Sequence, residues 1–461
     1  MLERLALALL RRFIIAGDLT MTTPTGRHER LAGAGDGPIA KIQIHDRRTL
    51  IRLLIQLDLE FGEAYMDGRL TVGKAGLEPL IELLLVNSTS WKQHWAGRLT
   101  LRLGNILAWL RHLNPPGRSR HNVAHHYDLT DELFESFLDP WRQYSCAYFL
   151  SETDTLEEAQ VTKLARLAAK LNLREGQRVL DIGCGWGGLA RALARCRHGV
   201  RVEGITLSRR QLAVARQETD EAGLADRVSF SLRDYRQQQG HFDSVVSIGM
   251  LEHVGPRNYR TYFKKVVDLL ARDGVAVVHT IAVHGKSAPV NRWLTKYIFP
   301  GGYLPSIEQL VRATDRRRLK ITDMKVMRGH YAETLKHLRL RFLENRDAIE
   351  DRYGSRFIRM WEFYLLGCEY FFRCQQAWWC SCNWHMINLR YRDSVTIFRV
   401  WKQNPGPCCV GSPLLEEKVA IRNDLGGMGI PLRRVRKVLC PENRGCGYRR
   451  SPLHRRRLQA S

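Results

Sequence analysis

The stretch VLDIGCGWGGLA, from Val179 to Ala190, sets an aspartate just ahead of four closely spaced glycines. Gly183, Gly185 and Gly188 fit the spacing G-x-G-x-x-G, with Gly187 inside the same loop. Glycines so spaced let backbone amides approach a nucleotide at a helix N-terminus. An acid about twenty residues further on would serve the ribose of a dinucleotide, and Glu203 lies there. A solvent-facing strand residue is an equal reading of Glu203. Asp181 points elsewhere, because it can hold the amino group of an amino-acid moiety, a group NAD lacks.

These residues need elements to position them. From Glu157 the chain alternates helical runs (EEAQVTKLARLAAKLNL, SRRQLAVARQETDEAG, NYRTYFKKVVDLLARDG) with strand-like ones (RVLDIG, VRVEGITL, FDSVVSIGM, VAVVHTIAV). That alternation predicts a parallel sheet with helices on both faces and ligands at the carboxyl ends of its strands. After about five strands the pattern passes into long helices instead of repeating a second mononucleotide half, which favours S-adenosylmethionine over NAD. Upstream, IAKIQIH, TLIRLLIQLDLEFGEAYM and LEPLIELLLV predict a smaller α+β domain, with NPPGRSRHN as a linker.

The segments HYDLTDELFESFLDPWRQYSCAYF, TLEEAQ, LDIGCGWGGLA, GITLSRRQ, SIGMLEHVGPRNYRTYF, YIFPGGYLPS and HYAETL resemble the cyclopropane-fatty-acyl-phospholipid synthase family, in that family's order, from about Ile55 to Gln376. The resemblance implies an α/β fold: a Rossmann-like class I methyltransferase sheet with a helical lipid-site insertion, beside the smaller α+β domain. The expected divisions are 1–114 (N-terminal, facing a membrane or partner), 115–376 (catalytic) and 377–461 (tail). It also implies that Tyr144, Ser145, Gly183, Gly185, Thr206, Gln211, Asp234 and Tyr235 contact S-adenosylmethionine. A sulfonium is attracted to an aromatic face such as that of Tyr144.

The implied reaction moves a methylene unit to the double bond of an unsaturated phospholipid acyl chain. An alkene is a poor nucleophile, and the cation left by methyl transfer would be trapped by water, so the pocket must be dry. A base must then take a proton from the new methyl group. In the family that base is understood to be bicarbonate, and its ligands match Cys146 in YSCAYF, Glu252 and His253 in LEHVG, His279 in VVHT and Tyr331 in GHYAET. His279 and Tyr331 can donate to the anion, while Glu252 can accept from its hydroxyl. His253 reads better as an orienting imidazole. Cys368 in YLLGCEYFF matches an active-site cysteine of the family, with apolar core as its alternative. No metal ligand set is expected.

Net charge is +25, from 72 Lys and Arg against 47 Asp and Glu, and +11 of it lies from Ala377 onward. A basic body of +14 suits an anionic membrane surface. The early run LALALLRRFIIAG is interrupted by Arg11 and Arg12 and is shorter than the ~20 residues of a membrane span. With no secretory leader and unpaired cysteine spacing, the expected location is cytoplasmic, peripheral to the inner face of the membrane. A homodimer is left open. Two rivals remain: a methyltransferase giving a methyl-branched or exomethylene product, and a basic nucleic-acid-binding protein. The second is disfavoured because the densest basic excess sits in the tail, so nucleic acid is not an expected partner.

At Ala377 the likeness stops. AWWCSCNWHMINLRYRDSVTIF has neither helical nor alternating period. In one back-translation, with a single G added in front and the frame read again, it gives GVVVQLQLAHDQPAVPRQRDYL, which resembles the family at this point. The expectation is a frameshift near the codon for Gln376 and a disordered, out-of-frame tail.

Overall fold

The structure, a computed structural model, describes residues 2–93, 130–283, 287, 290–315 and 319–373, and the backbone of 379–388. The linker NPPGRSRHN and the tail beyond Asn388 lie outside the described residues.

The N-terminal part begins with α1 (Leu2–Phe13), which tucks Leu7 and Phe13 into a core, as a short amphipathic helix should. Strands β1 (Ala16–Thr22), β2 (His28–Ala32), β3 (Gly35–Ile44) and β4 (Leu70–Val72) form a mixed sheet of order β2-β1-β3-β4. The run TLIRLLIQLDLEFGEAYM becomes two helices, α2 (Arg47–Ile55) and α3 (Leu57–Met66), broken at Gln56. Asp46 caps α2 by accepting from the Thr49 amide at 2.8 Å. Helix α4 (Glu78–Gln93) closes this core.

The second sheet has seven strands in the order β10-β11-β9-β8-β5-β6-β7. Strands β5 (Arg178–Ile182), β6 (Arg201–Thr206), β7 (Val228–Leu232), β8 (Phe242–Ile248) and β9 (Leu270–Val283) run parallel. RVLDI in β5 is buried after its first residue, the continuous apolar run that a strand covered on both faces requires. β9 starts at Leu270, earlier than the run VAVVHTIAV implies, so LARDG adds strand instead of extending the preceding helix. Strand order switches direction between the neighbours β5 and β8, and their carboxyl ends flank the resulting crevice.

Helices cover both faces. α5 (Asp131–Glu135) and α6 (Leu156–Leu171) precede the sheet, and α6 opens with a reciprocal capping box between Thr155 and Glu158. α7 (Gly188–Cys196), α8 (Arg209–Glu221) and α9 (Tyr259–Leu269) link the parallel strands. The expected helical insertion follows β9: α10 (Arg292–Tyr297), α11 (Ile307–Thr314), then, after β10 (Leu319–Val326), the long α12 (Arg328–Glu344), α13 (Arg346–Tyr353) and α14 (Ser355–Arg373).

Two expectations change. Both sheets belong to one compact unit, Met1–Arg392, because α14 serves both cores: Leu366 is buried with the N-terminal cluster, while Leu365 and Phe372 are buried with the catalytic one. The tail expected to be disordered contributes β11 (Trp379–Asn388), antiparallel to both β9 and β10. Unpaired edges on those two strands leave a slot whose backbone groups must be satisfied, and the segment that follows α14 fills it.

Candidate active site

The glycine loop leaves β5 at the sheet's mouth. Gly183 and Gly185 have φ of +80° and +56°, conformations that favour glycine, and a Cβ on Gly185 would meet nothing within 4 Å. That loop therefore turns toward open space. All but Gly187 of the residues expected to hold the cofactor line one cavity there: Tyr144, Ser145, Asp181, Gly183, Gly185, Thr206, Gln211, Asp234 and Tyr235. Gly187 does not face it. Its φ is +79° and a Cβ would lie 2.5 Å from the Phe230 ring, so its place is to let α7 start against β7.

Asp181 is 1% exposed, and its Oδ2 has no hydrogen-bond partner among the described residues. Burial pushes its pKa up to about 7, against the pull of the Lys163 ammonium. An orphaned, buried carboxylate oxygen on a cavity wall fits an ammonium-bearing ligand. Thr206 Oγ1 donates to Gln211 Oε1 at 2.9 Å and accepts from the Ser208 amide at 3.2 Å, which fixes both side chains after β6. Asp234 is already engaged: Arg236 donates to it from its amide at 2.9 Å and its guanidinium at 2.6 Å. Tyr235 packs edge-on against Tyr262, and burial raises its pKa to about 12. Glu203 is not on the cavity wall; it accepts from Gln238 at 2.9 Å.

The catalytic candidates lie just beyond this cavity, attached to its wall by sequence neighbours. Ser145 lines it and Cys146 follows; His253 lines it and Glu252 precedes. Glu252 sits in the single turn Leu251–His253 beyond β8. Its Oε1 accepts from the Ile281 amide at 2.5 Å and its Oε2 has no hydrogen bond among the described residues. Burial raises the Glu252 pKa, while the Ile281 amide opposes that rise. His279 lies two residues earlier on β9, and its carbonyl accepts from the Gly249 amide at 2.8 Å. Burial, aided by Lys163 and Lys170, presses its pKa down to about 3. For His253 burial gives about 4.

Tyr331, near the start of α12, meets this group from the insertion. Burial raises its pKa well above the usual phenol value, and Cys146, Glu252, Cys368 and Tyr144 are the neighbours whose charge would add to that rise. Its ring packs on Phe372 at 4.6 Å. Cys146 is buried, its thiol donating to the Ala147 carbonyl at 3.3 Å. Cys368 faces the same cluster one turn before Phe372, and burial lifts its thiol to about 12. Glu252, Tyr331, Cys146 and Cys368 thus converge, with His279 joined to them through the β9 backbone. Among the described residues no cluster has metal-ligand character.

Four groups had gone unread in the sequence. Tyr364 on α14 shares a 2.7 Å hydrogen bond with the Tyr144 hydroxyl. Arg142, at φ +51°, lines the cavity and pairs with Glu135 at 2.6 Å and Glu218 at 2.8 Å. Lys163 and Gln160 lie beneath the loop that carries Tyr144. Aromatic rings from Phe134, Phe137, Phe299 and Trp361 surround Tyr144 and Tyr364 and give the region an apolar lining.

Residues 116–380 match the family described as mycolic acid cyclopropane synthetase. The chain is 38% identical over 356 residues to the cyclopropane-fatty-acyl-phospholipid synthase of Escherichia coli K12, covering 75% of this chain and 87% of that one. The solved cyclopropane synthase MmaA2 of Mycobacterium tuberculosis is 31% identical, with a TM-score of 0.55 over 60% of this chain and 99% of its own. The mycolic acid cyclopropane synthase CmaA1, complexed with SAH and CTAB, is 31% identical, with a TM-score of 0.54 over 58% and 98%.

Proposed function

Because the chain belongs to the mycolic acid cyclopropane synthetase family, we propose that it closes a cyclopropane ring across the double bond of an unsaturated phospholipid acyl chain, using S-adenosylmethionine and a bound bicarbonate. The observation that carries the finer reading is the convergence of Glu252, Tyr331 and Cys146 next to a cavity whose wall holds an orphaned carboxylate, Asp181.

When bound, S-adenosylmethionine supplies an electrophilic methyl group and bicarbonate a base. The chain's own residues do the rest. Asp181 accepts from the amino group, Gly183 and Gly185 allow close backbone approach, and Thr206 and Gln211 offer fixed polar atoms toward the ribose. Tyr144, held by Tyr364, presents a ring for the sulfonium. The neutral His279 and the protonated Tyr331 are donors for an anion, and Glu252 Oε2 is an acceptor for its hydroxyl. A donor at Tyr331 beside an unsatisfied acceptor at Glu252 suits a bicarbonate better than a carboxylate ligand, which has no proton to give. The aromatic lining keeps water from the carbocation.

Phospholipid reaches such a site from a bilayer, and none of the described helices is long and apolar enough to cross one. Exposed Ile39 and Ile55 on the N-terminal part and the basic body support adsorption to an anionic surface, the inner face of the cell membrane in this reading. A homodimer belongs to the same reading as an untried assembly state.

The test is incubation with vesicles of unsaturated phosphatidylglycerol and methyl-labelled S-adenosylmethionine, with and without bicarbonate, followed by fragmentation mass spectrometry. A ring at the former double bond, formed faster with bicarbonate, is the expected product. A methyl branch or exomethylene group in its place would overturn ring closure.

A further inference from the structure

One face of α6 places two buried polar side chains against the loop that joins the two compartments. Lys163 is 2% exposed, and its ammonium donates to Gln143 Oε1 at 2.7 Å and to Ser145 Oγ at 2.9 Å. Gln160, three residues earlier and wholly buried, donates from one Nε2 to the carbonyls of Gln143 at 3.1 Å and Ser145 at 3.0 Å. Gln143 in turn donates to the Trp141 carbonyl at 3.0 Å, and the amides of Trp141 and Gln143 donate to Asp139 at 2.9 Å and 2.8 Å.

A buried ammonium is expensive unless charge and hydrogen bonds compensate it, and an apolar side chain of similar size is often no worse for stability. Apolar side chains of the same helix lie around it: Leu156, Ala159, Leu164 and Leu167 are all buried. Lys163 instead bonds to two neutral oxygens on a loop, with the carboxylates of Asp139 and Asp181 as its opposite charges. Those partners span both compartments. Tyr144 and Ser145 face the cofactor cavity and Cys146 belongs to the carbonate cluster, so one anchor at Ser145 sets both.

We infer that Lys163, seated by Gln160, is a positioning residue for cofactor binding: it pins the Gln143–Ser145 loop so that Tyr144 faces the sulfonium. The inference rests on the reading that this cavity holds S-adenosylmethionine.

Titration calorimetry of the full chain with S-adenosylhomocysteine, without lipid, tests it. Lys163→Met weakens binding tenfold or more, raises the KM for S-adenosylmethionine to a similar extent and lowers kcat at saturation less than threefold. Its melting temperature without ligand stays at or above that of the parent. Lys163→Gln, which keeps a donor but no charge, falls between the two and serves also if the methionine variant fails to fold. Ser145→Ala combined with Lys163→Met is less than additive, since both remove the same bond. Affinity within twofold of the parent in both Lys163 variants, or a loss of kcat and melting temperature without loss of affinity, overturns the inference. No binding of S-adenosylhomocysteine by the parent overturns the cofactor reading itself.

Discussion

Glu252 on the turn after β8 is bonded through Oε1 to the Ile281 amide at 2.5 Å, while Oε2 of the same carboxyl has no hydrogen-bond partner among the described residues. One oxygen fixes the side chain and the other is left for chemistry.

Glu252→Gln keeps an oxygen for the Ile281 amide but replaces the acceptor with a donor. Ring formation, measured as cyclopropane product per enzyme, falls a hundredfold or more, about 3 kcal/mol of transition-state stabilisation. The melting temperature stays within a few degrees. A variant that retains a tenth of parental activity would remove Glu252 from the mechanism.

Tyr331→Phe deletes a donor without changing packing on Phe372. The bicarbonate concentration for half-maximal rate should rise at least tenfold, while the KM for S-adenosylmethionine is unchanged. Equal bicarbonate response in parent and variant would place Tyr331 outside the anion site.

His279, with its folded pKa of about 3 below an unfolded value near 6.5, makes stability depend on acid. As pH falls below 6.5 the unfolded chain takes up the proton and the folded chain does not, so stability is complete above that pH and declines from there down to about 3. His253, at about 4, acts in the same direction. At pH 5 the His279 contribution amounts to about 2 kcal/mol. His279→Gln should flatten the fall in melting temperature between pH 7.5 and pH 5 by the corresponding share, roughly several degrees; an unchanged slope argues against a buried neutral imidazole.

Gly188 starts α7 directly under the cofactor loop, and a Cβ there would lie 2.2 Å from the Trp141 carbonyl oxygen. Gly188→Ala must push the 141–143 loop away. S-adenosylhomocysteine affinity should drop about tenfold, roughly 1.4 kcal/mol. Calorimetry showing undiminished affinity would mean the loop has another resting place.

Residues 379–388 read WCSCNWHMIN where a strand lies between β9 and β10. Shifted by one nucleotide the same positions read VVQLQLAHDQ, whose alternation suits a sheet with two unlike faces. A frame-restored chain should melt at a higher temperature, by roughly 5 °C or more, and gain activity. Resequencing the gene decides the premise: a frame that runs intact through codon 377, as in close relatives, rules out the frameshift.

Much of the cavity wall was legible in the sequence. Asp181 and the glycines could be read because a strand, a tight turn and a helix are local events, each written in a few adjacent residues. The strand ends that hold Glu252 and His279 were legible for the same reason, since SVVSI and VAVVHT are apolar runs that stop abruptly. Gly187 shows the limit: spacing placed it in the loop, whereas its packing against Phe230 turned it from the ligand.

Lys163 was legible in principle, as a lysine at a position of α6 where its neighbours Leu156, Ala159 and Leu167 are apolar. What it bonds was not, because Ser145 lies 18 residues away across a loop. The amino-acid order by itself determined the parallel sheet, the glycine turn and which residue types could carry methyl transfer. Only the tertiary structure decided that Lys163 bonds Ser145 across the loop and that α14 serves both cores. The physical reason is range: backbone preference and periodicity act between near neighbours, while burial, desolvation and hydrogen-bond pairing act between whatever surfaces the fold brings into contact.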